Sequence, residues 1–129
     1  MSREIKFRAW DKNKIKRIKT FEAKIYIGSI NNETGQYCTE GRLENLVSEY
    51  VNEVKWCVTI TKTKFIYVDG DESGWIIGII QYPRFPEDEE KLKEKTLQLA
   101  SILLNRCYQK RCSIIFPDET IMLESKHNV

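Results

Sequence analysis

The sequence predicts an α+β domain built on an antiparallel β-sheet, with a short helix and a long helix in the C-terminal half. Segments rich in β-branched and aromatic residues alternate with turn residues, and one pair of them, residues 56–69 and 75–82, is joined by a glycine-containing turn typical of a hairpin. Two further segments carry apolar residues at helical spacing, and each lies between strand-like segments. This mixed order of elements favours antiparallel pairing within one domain, residues 1–129.

Alternation and residue type define the predicted strands. They are placed at residues 3–10, 15–21, 24–30, 56–69, 75–82, 112–116 and 120–123. Residues 75–82 are almost continuously apolar, which indicates a central strand with both faces covered. Polar residues at 31–35 predict a loop, and residues 69–74 predict the hairpin turn because glycine supplies a positive φ.

The first helix is predicted over residues 44–53. Leu43, Leu46, Val47 and Tyr50 lie at helical spacing along one face, while glutamates occupy the other face. This amphipathic pattern is typical of a helix that packs against a sheet.

The second helix is predicted over residues 86–108. Pro86 suits the first helical position, and the four acidic residues after it complement the positive end of the helix dipole. Leu97 and Leu104 add apolar surface beyond a single face. This extra stripe has two open interpretations, a deep core position or a contact with another subunit at a dimer interface.

Composition narrows the functional classes. An apolar fraction of 41% with 31% charged residues is ordinary for a folded protein, so disorder is not expected. No apolar run approaches the roughly 20 residues of a membrane span, and no signal peptide is evident, so we expect a cytoplasmic protein. A net charge of +2 does not by itself indicate a nucleic-acid partner.

Few residues offer catalytic or metal chemistry. The four cysteines are widely spaced and are interpreted as reduced core residues, and the only histidine is His127. Phosphate loops, dinucleotide fingerprints and nucleophile elbows do not occur in the sequence. We therefore expect a binding protein rather than an enzyme, with no catalytic residues, no metal site and no cofactor.

The corner between the strand at 75–82 and the second helix is the candidate ligand site, because aromatic and arginine side chains are combined there with two prolines. Stacked rings contribute ~1–3 kcal/mol per base, and arginine donates two hydrogen bonds to phosphate. The candidate residues are Trp75, Tyr82 and Phe85 as flat walls, Arg84, Arg106 and Arg111 as phosphate donors, and Asn105 as a reader of a base edge or ribose hydroxyl. Trp75 has an alternative role as a core aromatic, and Arg111 as a helix cap.

A basic cluster, Lys12, Lys14, Lys16, Arg17 and Lys19, has two interpretations. It could attract phosphate, or it could be a solvated hairpin whose lysines discourage aggregation through an exposed edge. The second is favoured because no aromatic residues are interleaved with the charges.

Two family resemblances follow from these segments. Residues 3–12, REIKFRAWDK, resemble the N-terminus of YopX-like phage proteins. Residues 75–86, the long helix and residues 116–124, FPDETIMLE, resemble the phage Thoeris anti-defence protein 1 family. The second resemblance implies a phage protein in the cytoplasm of an infected bacterium. It also implies a homodimer or hexamer that sequesters cyclic ADP-ribose isomers, or cyclic oligonucleotides, without cleaving them.

In that family the pocket uses aromatic stacking and arginine contacts near a subunit interface, so Trp75, Tyr82, Phe85 and Arg111 are the positions implied here. Two alternative functions remain from the sequence. One is a nucleic-acid-binding phage regulator that uses the basic cluster, and the other is a protein-interaction inhibitor of a host enzyme.

Overall fold

The computed structural model describes residues 13–126, which form a five-stranded antiparallel sheet and two helices. In chain order the elements are β1 (Glu22–Gly28), α1 (Glu40–Val54), β2 (Thr59–Tyr67), β3 (Gly70–Ile80), α2 (Glu89–Arg106), β4 (Arg111–Ile115) and β5 (Thr120–Glu124). The predicted α+β class is confirmed. Within residues 13–126, neither helix is apolar enough over a sufficient length to cross a membrane.

The sheet has the strand order β2-β3-β1-β4-β5, and each neighbouring pair is antiparallel. β1 therefore lies in the middle, and β3 has a partner on each side, as its apolar sequence predicted. The β–α–β–β–α–β order of the first six elements is the ferredoxin-like arrangement, which β5 extends by one strand.

Both helices contribute to one core against the same face of the sheet. The β1 side chains that point to this face, Ala23, Ile25 and Ile27, are at most 1% exposed. The helices meet them with apolar residues at helical spacing, which are Leu43, Leu46, Val47 and Tyr50 from α1 and Leu92, Leu99, Ala100, Leu103 and Leu104 from α2. On the opposite face of β1, Lys24 and Tyr26 are half-exposed, so successive residues alternate between core and outer face.

The predicted strand at residues 15–21 is wrong. Residues 13–20 form no regular element, and Ile15 is 51% exposed. Ile15 and Ile18 are three residues apart, so a strand would place them on opposite faces and neither face would have a continuous apolar row. The predicted strand at 3–10, the YopX-like segment and Lys12 lie outside the described residues.

The hairpin turn is shorter than predicted. β2 ends and β3 begins at the pair Tyr67 and Gly70, so only two residues form the turn, and Asp69 takes a φ of 61°. Gly74 belongs to β3 and has a packing role, because a Cβ atom there would lie 2.5 Å from the backbone oxygen of Ile27 and would also collide with the Phe65 ring. The glycine that suggested a turn instead allows a close approach within the sheet.

Both helices have side-chain caps. The Thr39 hydroxyl accepts a hydrogen bond from the Arg42 amide at 3.1 Å, so α1 begins four residues earlier than predicted. α2 begins at Glu89 rather than at residue 86, since Asp88 caps it by accepting a hydrogen bond from the Glu90 amide.

The two leucines of the extra apolar stripe on α2 differ in burial. Leu104 is only 3% exposed and belongs to the core, whereas Leu97 is partly exposed at its margin. The core interpretation therefore accounts for Leu104.

Candidate functional site

A cleft of about 550 Å³ opens where the end of α1, the end of β3 and the start of α2 meet. We call it the aromatic cleft, because Trp56, Tyr82 and Phe85 form much of its wall. The other lining residues are Val54, Lys55, Cys57, Ile80, Gln81, Pro86, Glu87, Leu92 and Lys95. Its volume falls within the ~300–1,000 Å³ typical of small-molecule sites.

Trp56 is positioned by the end of α1. Lys55 adopts a left-handed conformation with a φ of 59°, and the Trp56 amide then donates back to the Val51 oxygen at 3.0 Å. The indole packs edge-on against the Tyr50 ring, with 6.2 Å between ring centroids. The Lys95 ammonium lies 5.5 Å from the indole centroid, which is a cation–π distance. The indole is thus fixed by contacts with both helices.

The corner after β3 is held by the Gln81 side chain. Its amide nitrogen donates to the Glu87 carbonyl at 2.7 Å, and its amide oxygen accepts from the Glu87 N–H at 2.8 Å. Between Gln81 and Glu87 the chain makes a turn in which the Phe85 amide donates a hydrogen bond to the backbone carbonyl oxygen of Tyr82 at 3.0 Å. Phe85 is 62% exposed, and the Arg84 guanidinium lies 5.2 Å from its ring centroid. The corner thus presents an aromatic ring to solvent beside the cleft.

An ion pair lies in the wall of the aromatic cleft. Lys95 Nζ and Glu87 Oε1 are 2.6 Å apart, and the two side chains are only 12% and 23% exposed. Charges so shielded from water interact more strongly with each other and with a ligand than charges on an open surface do. The cleft therefore combines flat apolar walls with one charge of each sign.

Two tyrosine hydroxyls near the cleft have raised pKa values. Burial raises the pKa of Tyr50 to about 12, and the nearby carboxylates of Glu53, Glu94 and Glu87 add to the effect. The Tyr50 hydroxyl donates to the Gln98 side-chain oxygen at 2.7 Å. Hydrogen bonding with the Cys57 thiol raises the pKa of Tyr82, and burial adds a smaller contribution. Both phenols are therefore neutral hydrogen-bonding groups at physiological pH.

Three of the predicted site residues lie at this corner, namely Tyr82, Arg84 and Phe85. Trp75 does not, because it points into the core from β3 and is 5% exposed. Its neighbours across the sheet are Ile27 and Lys62.

Of the other three predicted residues, Asn105 and Arg106 end α2, about 25 Å from its start by the helical rise, and Arg111 begins β4 five residues later. Asn105 and Arg106 are exposed there. The Arg106 carbonyl accepts a hydrogen bond from Arg42 Nε at 2.9 Å, and Arg111 Nε pairs with Glu124 Oε2 at 3.1 Å. The structure thus separates the predicted residues into two groups.

Sequence reasoning missed Trp56, Glu87 and Lys95. Trp56 was assigned to a strand, although α1 ends just before it and β2 begins only at Thr59. Glu87 was explained by the helix dipole, yet it lies before α2 and pairs with a lysine eight residues later. The available signal was Lys95, which lies three residues after the apolar Leu92 and so falls on the buried side of the helix. Among residues 13–126, no group of three His, Cys, Asp or Glu side chains is placed to hold a metal ion.

Cysteine accessibility gives a direct check on the cleft. Cys57 is exposed and lines the cleft, whereas Cys38, Cys107 and Cys112 are buried. Burial raises the pKa of Cys112 to about 11 and also raises that of Cys107, so these thiols stay protonated and unreactive near pH 8. We expect iodoacetamide to modify one cysteine rapidly in the native protein, and mass spectrometry of peptides to identify it as Cys57. In urea all four should react, and equal rates for the four native thiols would contradict the described burial.

Comparison with known proteins adds a fold relationship. No protein-family model and no curated protein matches the sequence. Among solved structures, a phage SAM lyase in complex with S-methyl-5'-thioadenosine superposes with a TM-score of 0.71 at 13% identity, covering 91% of this chain and 98% of that one. A phage SAM lyase in the apo state gives a TM-score of 0.64 at 13% identity, covering 91% and 100%. At this identity the likeness establishes a shared fold, and it is the fold of a small phage protein. Membership of the Thoeris anti-defence family stays a prediction.

The prediction that the chain is not an enzyme is corrected by this comparison. Both solved structures described above, which this chain matches over nearly their whole length, are of a phage SAM lyase, which is an enzyme. The absence of nucleophile, metal-ligand and phosphate-loop motifs, which favoured a binding protein, does not exclude an enzyme of this kind. A carbon–sulfur bond in a sulfonium compound is already activated for cleavage, and breaking it requires none of these motifs.

Proposed function

We propose that the aromatic cleft binds an adenine nucleoside that carries sulfur at its 5' position, and that the chain acts on S-adenosylmethionine as a lyase. The observation that carries the proposal is the set of three aromatic side chains, Trp56, Tyr82 and Phe85, around a cleft of about 550 Å³. The fold shared with a SAM lyase supports the same ligand class.

The chemistry of the cleft suits this ligand. Adenine is a flat ring that stacks on aromatic side chains. A sulfonium is a cation, and aromatic faces favour positive charge. Gln81 already uses its side-chain amide to hold the corner, so the Tyr82 hydroxyl is the polar group best placed to read the base or the ribose. The residues thus provide stacking, charge complementarity and one hydrogen-bonding group.

The proposed reaction breaks the bond between the sulfonium sulfur and the methionine γ carbon. The electron pair of this bond goes to sulfur, so neutral S-methyl-5'-thioadenosine is released. The remaining four-carbon fragment balances the reaction by losing a proton or by closing onto its own carboxylate. The contribution of the cleft is to hold the sulfonium and the amino-acid chain in a reactive geometry.

A second ligand of the same cleft is the cyclic ADP-ribose type of immune signal implied by the sequence resemblance. It also contains adenine, and the exposed Arg84 beside Phe85 is the observation that favours it, because arginine suits a pyrophosphate. Sequestration of this signal and a homodimeric or hexameric state remain proposals from the resemblance.

The test is to incubate the protein with S-adenosylmethionine and to measure S-methyl-5'-thioadenosine by liquid chromatography and mass spectrometry. Calorimetry would measure binding of the nucleoside product and of cyclic ADP-ribose in parallel. We expect product formation above the protein-free rate and saturable binding of S-methyl-5'-thioadenosine. Ligand binding should also slow modification of Cys57.

The variant Arg111→Ala provides a control, because Arg111 begins β4 and does not line the cleft, so its loss should leave binding unchanged. Binding of cyclic ADP-ribose without any binding of the two sulfur nucleosides would overturn the lyase proposal in favour of the second ligand. If none of the three compounds binds, the cleft is not the site of either function.

A further inference from the structure

The ion pair between Glu87 and Lys95 is the most shielded one described in the chain, and both residues line the aromatic cleft. Its two charged atoms are 2.6 Å apart. By contrast, the Lys93–Asp118 pair has a separation of 3.1 Å with exposures of 23% and 64%. A shielded pair at a cleft wall presents two opposite charges at fixed positions to whatever enters.

Neighbouring contacts hold each partner in place before a ligand arrives. The Gln81 side chain bonds both the N–H and the carbonyl of Glu87, so the backbone that carries the carboxylate is fixed. The Lys95 ammonium lies over the Trp56 ring at 5.5 Å. Because these contacts fix the Glu87 backbone and place the Lys95 ammonium, only the two charged groups have to move apart to accept new partners, and this favours specific recognition.

The ligand group that matches one fixed anion and one fixed cation is a zwitterion. An α-amino acid carries an ammonium and a carboxylate two bonds apart, so Glu87 can accept from the ammonium while Lys95 donates to the carboxylate. Such charge-assisted hydrogen bonds are about twice as strong as neutral ones. A nucleoside without an amino-acid tail offers neither group and leaves the pair closed.

We propose that Glu87 and Lys95 form the recognition site for the amino-acid tail of an adenosyl amino acid. The pair opens to make two ion pairs with the ligand, and it selects substrate over a tail-less nucleoside product. This inference rests on the proposed function, because it takes the nucleoside part to lie against Trp56, Tyr82 and Phe85. It adds that cleavage separates the tail from the nucleoside, and the pair closes again once the tail has left.

The test compares two neutral thioethers that differ in the tail, S-adenosylhomocysteine and S-methyl-5'-thioadenosine. Calorimetry on the wild type should give tighter binding of S-adenosylhomocysteine, by roughly tenfold for one good charge-assisted hydrogen bond. Glu87→Gln and Lys95→Met should each remove most of this preference. Binding of S-methyl-5'-thioadenosine should change by less than about threefold, since it makes no contact with either charge.

Lys93→Met is the matched control, because Lys93 is on the same helix but does not line the cleft. Its ammonium pairs with the Asp118 carboxylate and lies 5.9 Å from the centroid of the Phe116 ring. It should leave both affinities unchanged. Circular dichroism checks folding, and if Lys95→Met does not fold, the Glu87→Gln result decides.

The outcomes separate this inference from the function on which it rests. If the wild type binds the tail-less nucleoside and shows no preference for the tail, the inference fails and the proposed function stands. If both variants weaken the two ligands equally, the pair only supports the shape of the cleft, and the inference is again overturned. If the wild type binds neither thioether, both proposals fail together.

Discussion

Replacing Trp56 with alanine is expected to weaken binding of S-methyl-5'-thioadenosine by about 5- to 150-fold, because a stacked aromatic ring contributes ~1–3 kcal/mol. The ring lies in the cleft wall between Tyr50 and Lys95. Its centroid is 6.2 Å from the centroid of the Tyr50 ring and 5.5 Å from Lys95 Nζ. Its removal eliminates the stacking surface and leaves the Lys95 ammonium without its aromatic neighbour. Calorimetric titration of the variant, performed well below its melting temperature, measures the loss.

Tyr37→Ala is a suitable control for this result, because Tyr37 is 64% exposed and is not a lining residue of the cleft. It removes an aromatic ring without changing the proposed site. A folded Trp56→Ala protein with unchanged affinity would show that the nucleoside lies elsewhere.

Replacing Ile77 with alanine is expected to lower the free energy of unfolding by about 2–5 kcal/mol, the usual cost of emptying a buried aliphatic position. Ile77 is fully buried in β3, opposite Ile25 on one side and Ile60 on the other. Since a domain is commonly stable by only about 5–15 kcal/mol, this single change threatens the fold. Urea denaturation followed by circular dichroism measures the difference in free energy of unfolding between the wild type and the variant.

The neighbouring Ile76→Ala supplies the comparison. Ile76 is half-exposed because adjacent residues of a strand point to opposite faces. We expect a clearly smaller loss, as less apolar surface returns to water. Equal losses at the two positions would contradict the register of β3 and the assignment of the core face.

Much of the fold could be predicted from local pattern. The α1 residues Leu43, Leu46, Val47 and Tyr50 are all buried as their spacing indicated. The strand signal was reliable where an apolar row occupies one face, as in β1, and failed at residues 15–21, where Ile15 and Ile18 fall on opposite faces. Periodicity thus identified the elements that bury a continuous surface.

The site was harder to predict because it depends on contacts that no local pattern records. Trp56 and Trp75 were both predicted to lie in strands; the register of β3 shows that Trp75 points inward, and the end of α1 at Val54 places Trp56 outside any strand. Likewise, Tyr82 meets Cys57 across 25 positions of sequence. The aromatic corner at Tyr82 and Phe85 was visible in the sequence, whereas the charges that accompany it were not.

The double hydrogen bond from Gln81 to Glu87 has a consequence for the thermodynamics of binding. Because one side chain links the two ends of the turn, the segment between them is held in place by the protein's own hydrogen bonds. A ligand therefore does not lose affinity to the conformational entropy of ordering a loop. Phe85 is largely in solvent, so the corner offers a ligand little buried apolar area. The small loss of conformational entropy on binding compensates for this weaker contact.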